Sequence, residues 1–151
     1  FQPGDRTEVD LAATLAQIAE LARRHPDVRF CDLRVGEVAP VVLPLHKELL
    51  EQAVLNLIVN AAQAAGARGR IELAVRRTAH ALVIEVHDNG PGIPDDIRER
   101  MFYPLVSGRD GGTGLGLTLA QSFVQQHQGT IECESRPGYT CFSIRMPLGG
   151  A

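Results

Sequence analysis

The sequence predicts a two-layer α/β sandwich, a mixed and largely antiparallel sheet covered on one face by three helices. Three segments carry apolar residues at helical spacing, two pairs of short alternating segments read as hairpins, and two glycine clusters flank a polar loop between the first hairpin and the last helix. Helix, hairpin, glycine-flanked loop, helix and hairpin in that order can bury their apolar faces as one layer of helices on one sheet.

At 151 residues a single domain with a real core is expected. The hydrophobic fraction of 44% and charged fraction of 22% fit a soluble globule. A formal charge of −3 gives no global electrostatic reason to expect nucleic acid as a partner. No apolar run reaches the length of a membrane segment. Three cysteines without paired spacing argue against a disulfide framework, so a reducing, cytoplasmic location is expected. A start at Phe1 rather than Met suggests a fragment.

Residues 1–8 have linker composition, the domain is expected over 9–148, and 149–151 form a C-terminal tail. Val9 to Arg24 carries Leu11, Leu15, Ile18, Leu21 and Ala22 at helical spacing, stopped by His25-Pro26-Asp27. Val28 to Val35 reads as a short strand, and Val41 to Leu45, interrupted by Pro44, as an extended connection. Lys47 to Ala65, ended by Gly66, is the strongest helix. Its apolar side is interrupted by Gln52, Asn56, Asn60 and Gln63, which fall within an arc of roughly 80°. Four aligned amides are either a solvated face or a row that something answers, because unanswered burial is costly.

Ile71, Leu73 and Val75 alternate with polar residues as a half-buried strand, paired through Thr78 to His80 with Ala81 to Asp88. Leu82, Ile84, Val86 and Asp88 share one face of that second strand. A carboxylate therefore ends an apolar row, where it either caps its own turn or accepts from a ligand. Leu115 to His127 is the third substantial helix, and Thr130 to Ser135 and Cys141 to Met146 are strands joined by Arg136-Pro137-Gly138-Tyr139. Cys133 reads as a core residue, and no cysteine has an activating neighbour in sequence.

Gly90 and Gly92 form one glycine cluster, and Gly112-Thr113-Gly114-Leu115-Gly116-Leu117 the other, opening directly into a helix. Backbone N–H groups at a helix N-terminus, reachable where glycines leave out side chains, suit an anion. No Gly-Lys-Ser/Thr follows, so this is not a Walker loop. An adenine nucleotide would use all of these parts. Asp88 can accept from the exocyclic amine, Asn60 can offer an oxygen to Mg²⁺, the glycine amides can hold phosphate, and Arg109 supplies a forked cation. The five histidines lack close metal-ligand spacing, and Ser107 lacks a Gly-x-Ser-x-Gly elbow. His87 and Asp88 point to opposite faces of one strand and are not a dyad.

Asn56-Leu57-Ile58-Val59-Asn60-Ala61 resembles the N box of the GHKL ATPases: gyrase, heat-shock chaperones, histidine kinases and mismatch-repair ATPases. Asp88-Asn89-Gly90-Pro91-Gly92-Ile93-Pro94 is similar to their first glycine box, and Gly112 to Leu117 to the second. Gly138-Tyr139-Thr140-Cys141-Phe142 resembles the terminal glycine–threonine box, so the likeness covers roughly residues 46–148 in the right order. Within the group the chain resembles sensor histidine kinases. The ATPases carry a glutamate general base where this chain has Asn56, and an amide cannot take a proton from water. The run Phe102 to Gly112 resembles nitrogen-regulation kinases of the NtrB type.

That resemblance implies the GHKL sandwich fold, ATP and Mg²⁺ as cofactors, and Asn56 and Arg109 as catalytic residues. The implied nucleotide contacts are Asn56, Asn60, Gln63, Asp88, Gly90, Gly92, Ile93, Tyr103, Ser107, Gly108, Arg109, Gly112, Thr113, Gly114, Leu115, Gly116, Leu117 and Thr140, with Asn60 on the metal. Gln63 stands where the family places a phosphate-facing Lys or Arg, which moves that cationic role toward Arg109. It further implies transfer of the γ-phosphate to a histidine on the kinase's own dimerisation domain, then to the receiver domain of an NtrC-like response regulator. A PII signalling protein is a further implied partner. None of the five histidines heads a His-Glu/Asp motif, so the acceptor domain is expected elsewhere and the isolated domain is expected to be a monomer. An anti-sigma-factor serine kinase and a non-catalytic nucleotide-binding module are the alternatives.

Overall fold

In the computed structural model, which describes residues 6–93 and 113–148, the chain begins with β1 (Thr7–Asp10), α1 (Leu11–Arg23), β2 (Asp32–Val38), β3 (Val42–Leu45) and α2 (Lys47–Ala65). It continues through β4 (Arg70–Arg77), β5 (Ala81–Asp88), α3 (Thr113–Gln126), β6 (Thr130–Arg136) and β7 (Tyr139–Pro147). The main sheet has the order β2-β4-β5-β7-β6. Only its β2–β4 pairing is parallel, and the connection between those two strands carries α2. This is the mixed, largely antiparallel sheet under three helices that the sequence predicts.

Alternation sorts the sheet into two faces. On the helix side, register stacks Val75, Ile84, Ile144 and Ile131 in one row across four strands, and Leu73, Val86, Phe142 and Cys133 in the next. Against these rows pack Leu50, Val54, Leu57, Ile58 and Ala61 of α2, Leu117, Ala120, Phe123 and Val124 of α3, and Leu11, Leu15 and Ile18 of α1. Cys133 thus takes the core-facing position expected of it. The third row changes chemistry: Ile71, Asp88, Thr140 and Ser135. The apolar core ends where this polar row begins.

The helix ends follow local chemistry. Asp10 caps α1 by accepting from the Ala13 N–H at 3.2 Å. His46 caps α2 through Nδ1, which accepts from the Leu49 N–H at 3.2 Å, and Gly66 ends that helix at φ +77°. Past α3, His127 Nδ1 donates to the Phe123 carbonyl at 2.8 Å while its Nε2 accepts from the His46 N–H at 3.2 Å. One neutral imidazole thereby ties the end of α3 to the start of α2.

Three expectations need correction. Thr7 and Glu8, placed in the linker, belong to β1, which pairs antiparallel with β3 and buries Val9; the connection around Pro44 is therefore an edge strand. Val28 to Cys31 is not strand but a turn, held by Arg29 N–H to His25 O at 2.9 Å and Cys31 N–H to Val28 O at 2.8 Å, so β2 starts only at Asp32. Leu21 is 51% exposed while Ala19 is buried, because Leu21 lies at the margin of the α1 stripe.

Candidate functional site

The site grows from the row Asp88–Thr140–Ser135. Asp88 is buried at 4% exposure, and its Oδ1 accepts from the Gly90 N–H at 2.9 Å. The carboxylate caps its own turn, as the plainer sequence reading has it, and does so at the helix-facing end of β5. Asn89 clamps the turn to β4: its Oδ1 accepts from the Arg70 N–H at 2.9 Å and its N–H donates to the Arg70 carbonyl at 3.3 Å. On the far side, the Ile93 N–H donates to Ser135 Oγ at 2.8 Å, and Ser135 Oγ lies 2.8 Å from the hydroxyl of buried Thr140. The segment from Asp88 to Ile93 is pinned at both ends.

Two glycines are required by that path. A Cβ on Gly90 would lie 2.9 Å from Asp88 Oδ1 and 3.0 Å from the Ala64 carbonyl, so this turn presses on the last turn of α2. Gly92 has φ +92°, and a Cβ there would meet the Arg136 carbonyl at 2.8 Å. Ala64 lies one helical turn beyond Asn60 and two beyond Asn56, so the asparagines share the helix side that meets the Asp88 turn.

The amide stripe of α2 does not act as one unit. Gln52 is exposed and Asn56 half-buried. Asn60 is buried at 8% exposure, and its Nδ2 has no hydrogen-bond partner among the described residues. Leaving such a donor without an acceptor costs about 1–3 kcal/mol, so the position suits an acceptor from outside the described residues. Gln63 takes another course: its Nε2 donates to Asp27 Oδ2 at 3.0 Å, and it lines a separate cleft with Pro26 and Phe30. It faces the connection after α1 rather than the Asp88 turn, because the turn through Val28 brings Asp27 over the end of α2.

The second glycine cluster begins as helix. α3 starts at Thr113, two residues before the expected start, so Gly114 and Gly116 lie in its first turn. First-turn N–H groups have no intrahelical acceptor, which suits the anion-binding role read from the glycines. Leu117 is buried in the core. Tyr103, Ser107, Gly108, Arg109 and Gly112 lie outside the described residues.

The opposite face of the same strands carries a cluster that sequence spacing missed. His87 and Cys141 are directly paired across β5 and β7, and Glu85 shares their face. Their ligand atoms lie within 4.8 Å of one another. The residues are 54 positions apart in the chain, so only strand pairing brings them together.

A mixed five-stranded sheet under helices, with the buried Asn60 of α2 and the glycine-bearing turn after Asp88 at the polar end of its core, is an α/β sandwich with a candidate ligand site at that end. Residues 46–150 match the family described as histidine kinase-, DNA gyrase B- and HSP90-like ATPase, and the chain belongs to that family. Its relatives are named sensory histidine kinase/phosphatase NtrB. The protein from Vibrio alginolyticus is 35% identical over 97% of this chain and 45% of its own length. That from Klebsiella oxytoca is 46% identical over 70% of this chain and 34% of its own. The chain thus spans less than half the length of these curated relatives. Among solved structures, the catalytic domain of histidine kinase ThkA matches with a TM-score of 0.83 at 25% identity, covering 94% of this chain and 95% of that one. The mycobacterial sensor histidine kinase MprB matches at 0.81 and 26% identity, covering 94% and 97%. The chain is an NtrB-like histidine-kinase ATPase domain, and the serine-kinase and non-catalytic readings are not favoured. Among the described residues no helix is long and apolar enough to cross a membrane.

Proposed function

We propose that this domain binds Mg²⁺-ATP and delivers the γ-phosphate to a histidine on the kinase's own dimerisation domain, for relay to an aspartate of an NtrC-like receiver domain, in the cytoplasm. The observation that carries the reading is the buried Asn60 Nδ2, without a hydrogen-bond partner among the described residues, one helical turn before the Ala64 carbonyl against which Gly90 packs. A carboxamide offers one acceptor and two donors, so Asn60 can meet Mg²⁺ with its oxygen and a phosphate oxygen with its nitrogen. ATP supplies the transferable phosphoryl group; the chain's residues hold, orient and neutralise it. Asp88 accepts from the adenine amine while Gly90, Gly92, Ile93 and Thr140 keep the ring's surroundings close and fixed. The first-turn amides of α3 and Arg109 meet the phosphates. Asn56 positions without acting as a base, which favours transfer over hydrolysis.

The test is radiolabel transfer from ATP to an NtrB-type dimerisation domain supplied in trans, with and without Mg²⁺. Acid-labile, base-stable label on histidine is expected from the wild type. Asn60→Ala should lower transfer by at least about 100-fold, the scale of removing one preorganised charge-stabilising contact. It should not lower the unfolding midpoint of the nucleotide-free domain, since it also removes an unsatisfied buried donor. Acid-stable label on serine would overturn the reading, as would full transfer by Asn60→Ala.

A further inference from the structure

The face of the sheet opposite the described helices carries a second constellation that the nucleotide reading does not use. His87 Nε2 lies 3.0 Å from Glu85 Oε1 and 3.9 Å from Cys141 Sγ. The other ring nitrogen, Nδ1, is engaged by the Tyr139 hydroxyl at 3.1 Å, with Arg136 stacked on the tyrosine ring at 4.3 Å. The second oxygen of Glu85 is held by Arg76 at 2.8 Å, which leaves Oε1 turned toward His87. The group is sheltered but reachable: the side chain of Glu85 is 12% exposed and that of His87 29%, and Cys141 is buried beneath them.

We propose that Cys141, His87 and Glu85 form a site for a borderline-soft divalent cation of the Zn²⁺ type, on the face opposite the nucleotide row. One thiolate, one imidazole and one carboxylate are the donor types that zinc selects over magnesium. Ligand atoms around a tetrahedral zinc stand about 3.3–3.6 Å apart, given metal–ligand distances of about 2.0–2.3 Å. The distances of 3.0 and 3.9 Å around Nε2 bracket that spacing, and all three ligand atoms lie within 4.8 Å of one another, so rotation of the Glu85 and Cys141 side chains toward each other completes the set. Metal-bound histidines ordinarily have their second nitrogen hydrogen-bonded, which fixes ring orientation; here Tyr139 does this. Three protein ligands leave a fourth position for water, and Ser143 Oγ, 3.6 Å from the sulfur, borders it. Binding needs a thiolate and an unprotonated Nε2, so a proton held on either atom leaves to solvent, and the metal ties β5 to β7 from the outside.

The experiment uses the 151-residue chain without an affinity tag, stripped with chelator and titrated with Zn²⁺ by calorimetry and with Co²⁺ by absorbance. One equivalent of Zn²⁺ and a thiolate-to-cobalt charge-transfer band in the near ultraviolet are expected. Cys141→Ser should abolish the band and weaken Zn²⁺ at least about 100-fold, and Tyr139→Phe should weaken it about 10-fold, in the range for loss of an orienting partner. The double variant Cys31→Ser, Cys133→Ser should behave as wild type. His87→Gln supplies an independent ligand deletion if Cys141→Ser does not fold. Absence of the band in wild type, its survival in Cys141→Ser, undiminished Zn²⁺ affinity in His87→Gln, or loss of the band in the double variant would each overturn the proposal.

Discussion

Asp88→Asn separates the nucleotide role proposed for this carboxylate from its structural one. The side chains are nearly isosteric, and asparagine keeps an oxygen to accept the Gly90 N–H that Asp88 Oδ1 accepts at 2.9 Å. The turn, clamped independently by Asn89 and by Ile93 on Ser135, should survive. What changes is the group that, in the proposed role, meets the adenine amine: a carboxylate acceptor becomes an amide with a donor on one side. Hydrogen bonds to charged groups contribute about 1.5–3 kcal/mol, which corresponds to roughly 10- to 150-fold in affinity. Calorimetric titration should give that loss for ATP, with an unfolding midpoint close to wild type. GTP, which presents a carbonyl where ATP has the amine, should bind the wild type poorly. Unchanged ATP affinity in a folded Asp88→Asn domain, or equal wild-type affinities for ATP and GTP, would refute the assignment.

Two further predictions concern the scaffold. Burial lowers the pKa of His127 below its ordinary 6.5, with Arg6 and His46 adding to the effect against the hydrogen bond to Phe123. A depressed histidine contributes stability that is complete above pH 6.5 and declines as pH falls toward the folded-state value. Urea midpoints should therefore drop on acidification below pH 6.5, and less steeply in His127→Gln; equal slopes in both proteins would remove His127 from the explanation. Gly92→Ala should destabilise by about 2–3 kcal/mol, because positive φ strains any side chain and the new Cβ meets a backbone carbonyl. Gly138→Ala, at φ +85° with nothing within 4 Å, should cost only about 1–2 kcal/mol. Identical costs by chemical denaturation would show that the Arg136 contact carries no weight.

Period and punctuation determined much of this protein. The stop at Gly66, the face shared by Leu82, Ile84, Val86 and Asp88, and the turn at Pro137-Gly138 are local consequences of φ preference and strand alternation, and each stands where the residues put it. Order along the chain also carried the family, because four spaced motifs need no coordinates to be compared. Tertiary structure decided what local rules leave open. Burial divided the four aligned amides of α2, turning Gln63 to Asp27 and leaving Asn60 Nδ2 without a partner among the described residues. Pairing with β3 made a strand of Thr7 and Glu8, since an edge hydrogen bonds to whatever chain lies beside it. Strand register placed Cys141 against His87, because cross-strand neighbours are fixed by the sheet and not by distance in sequence.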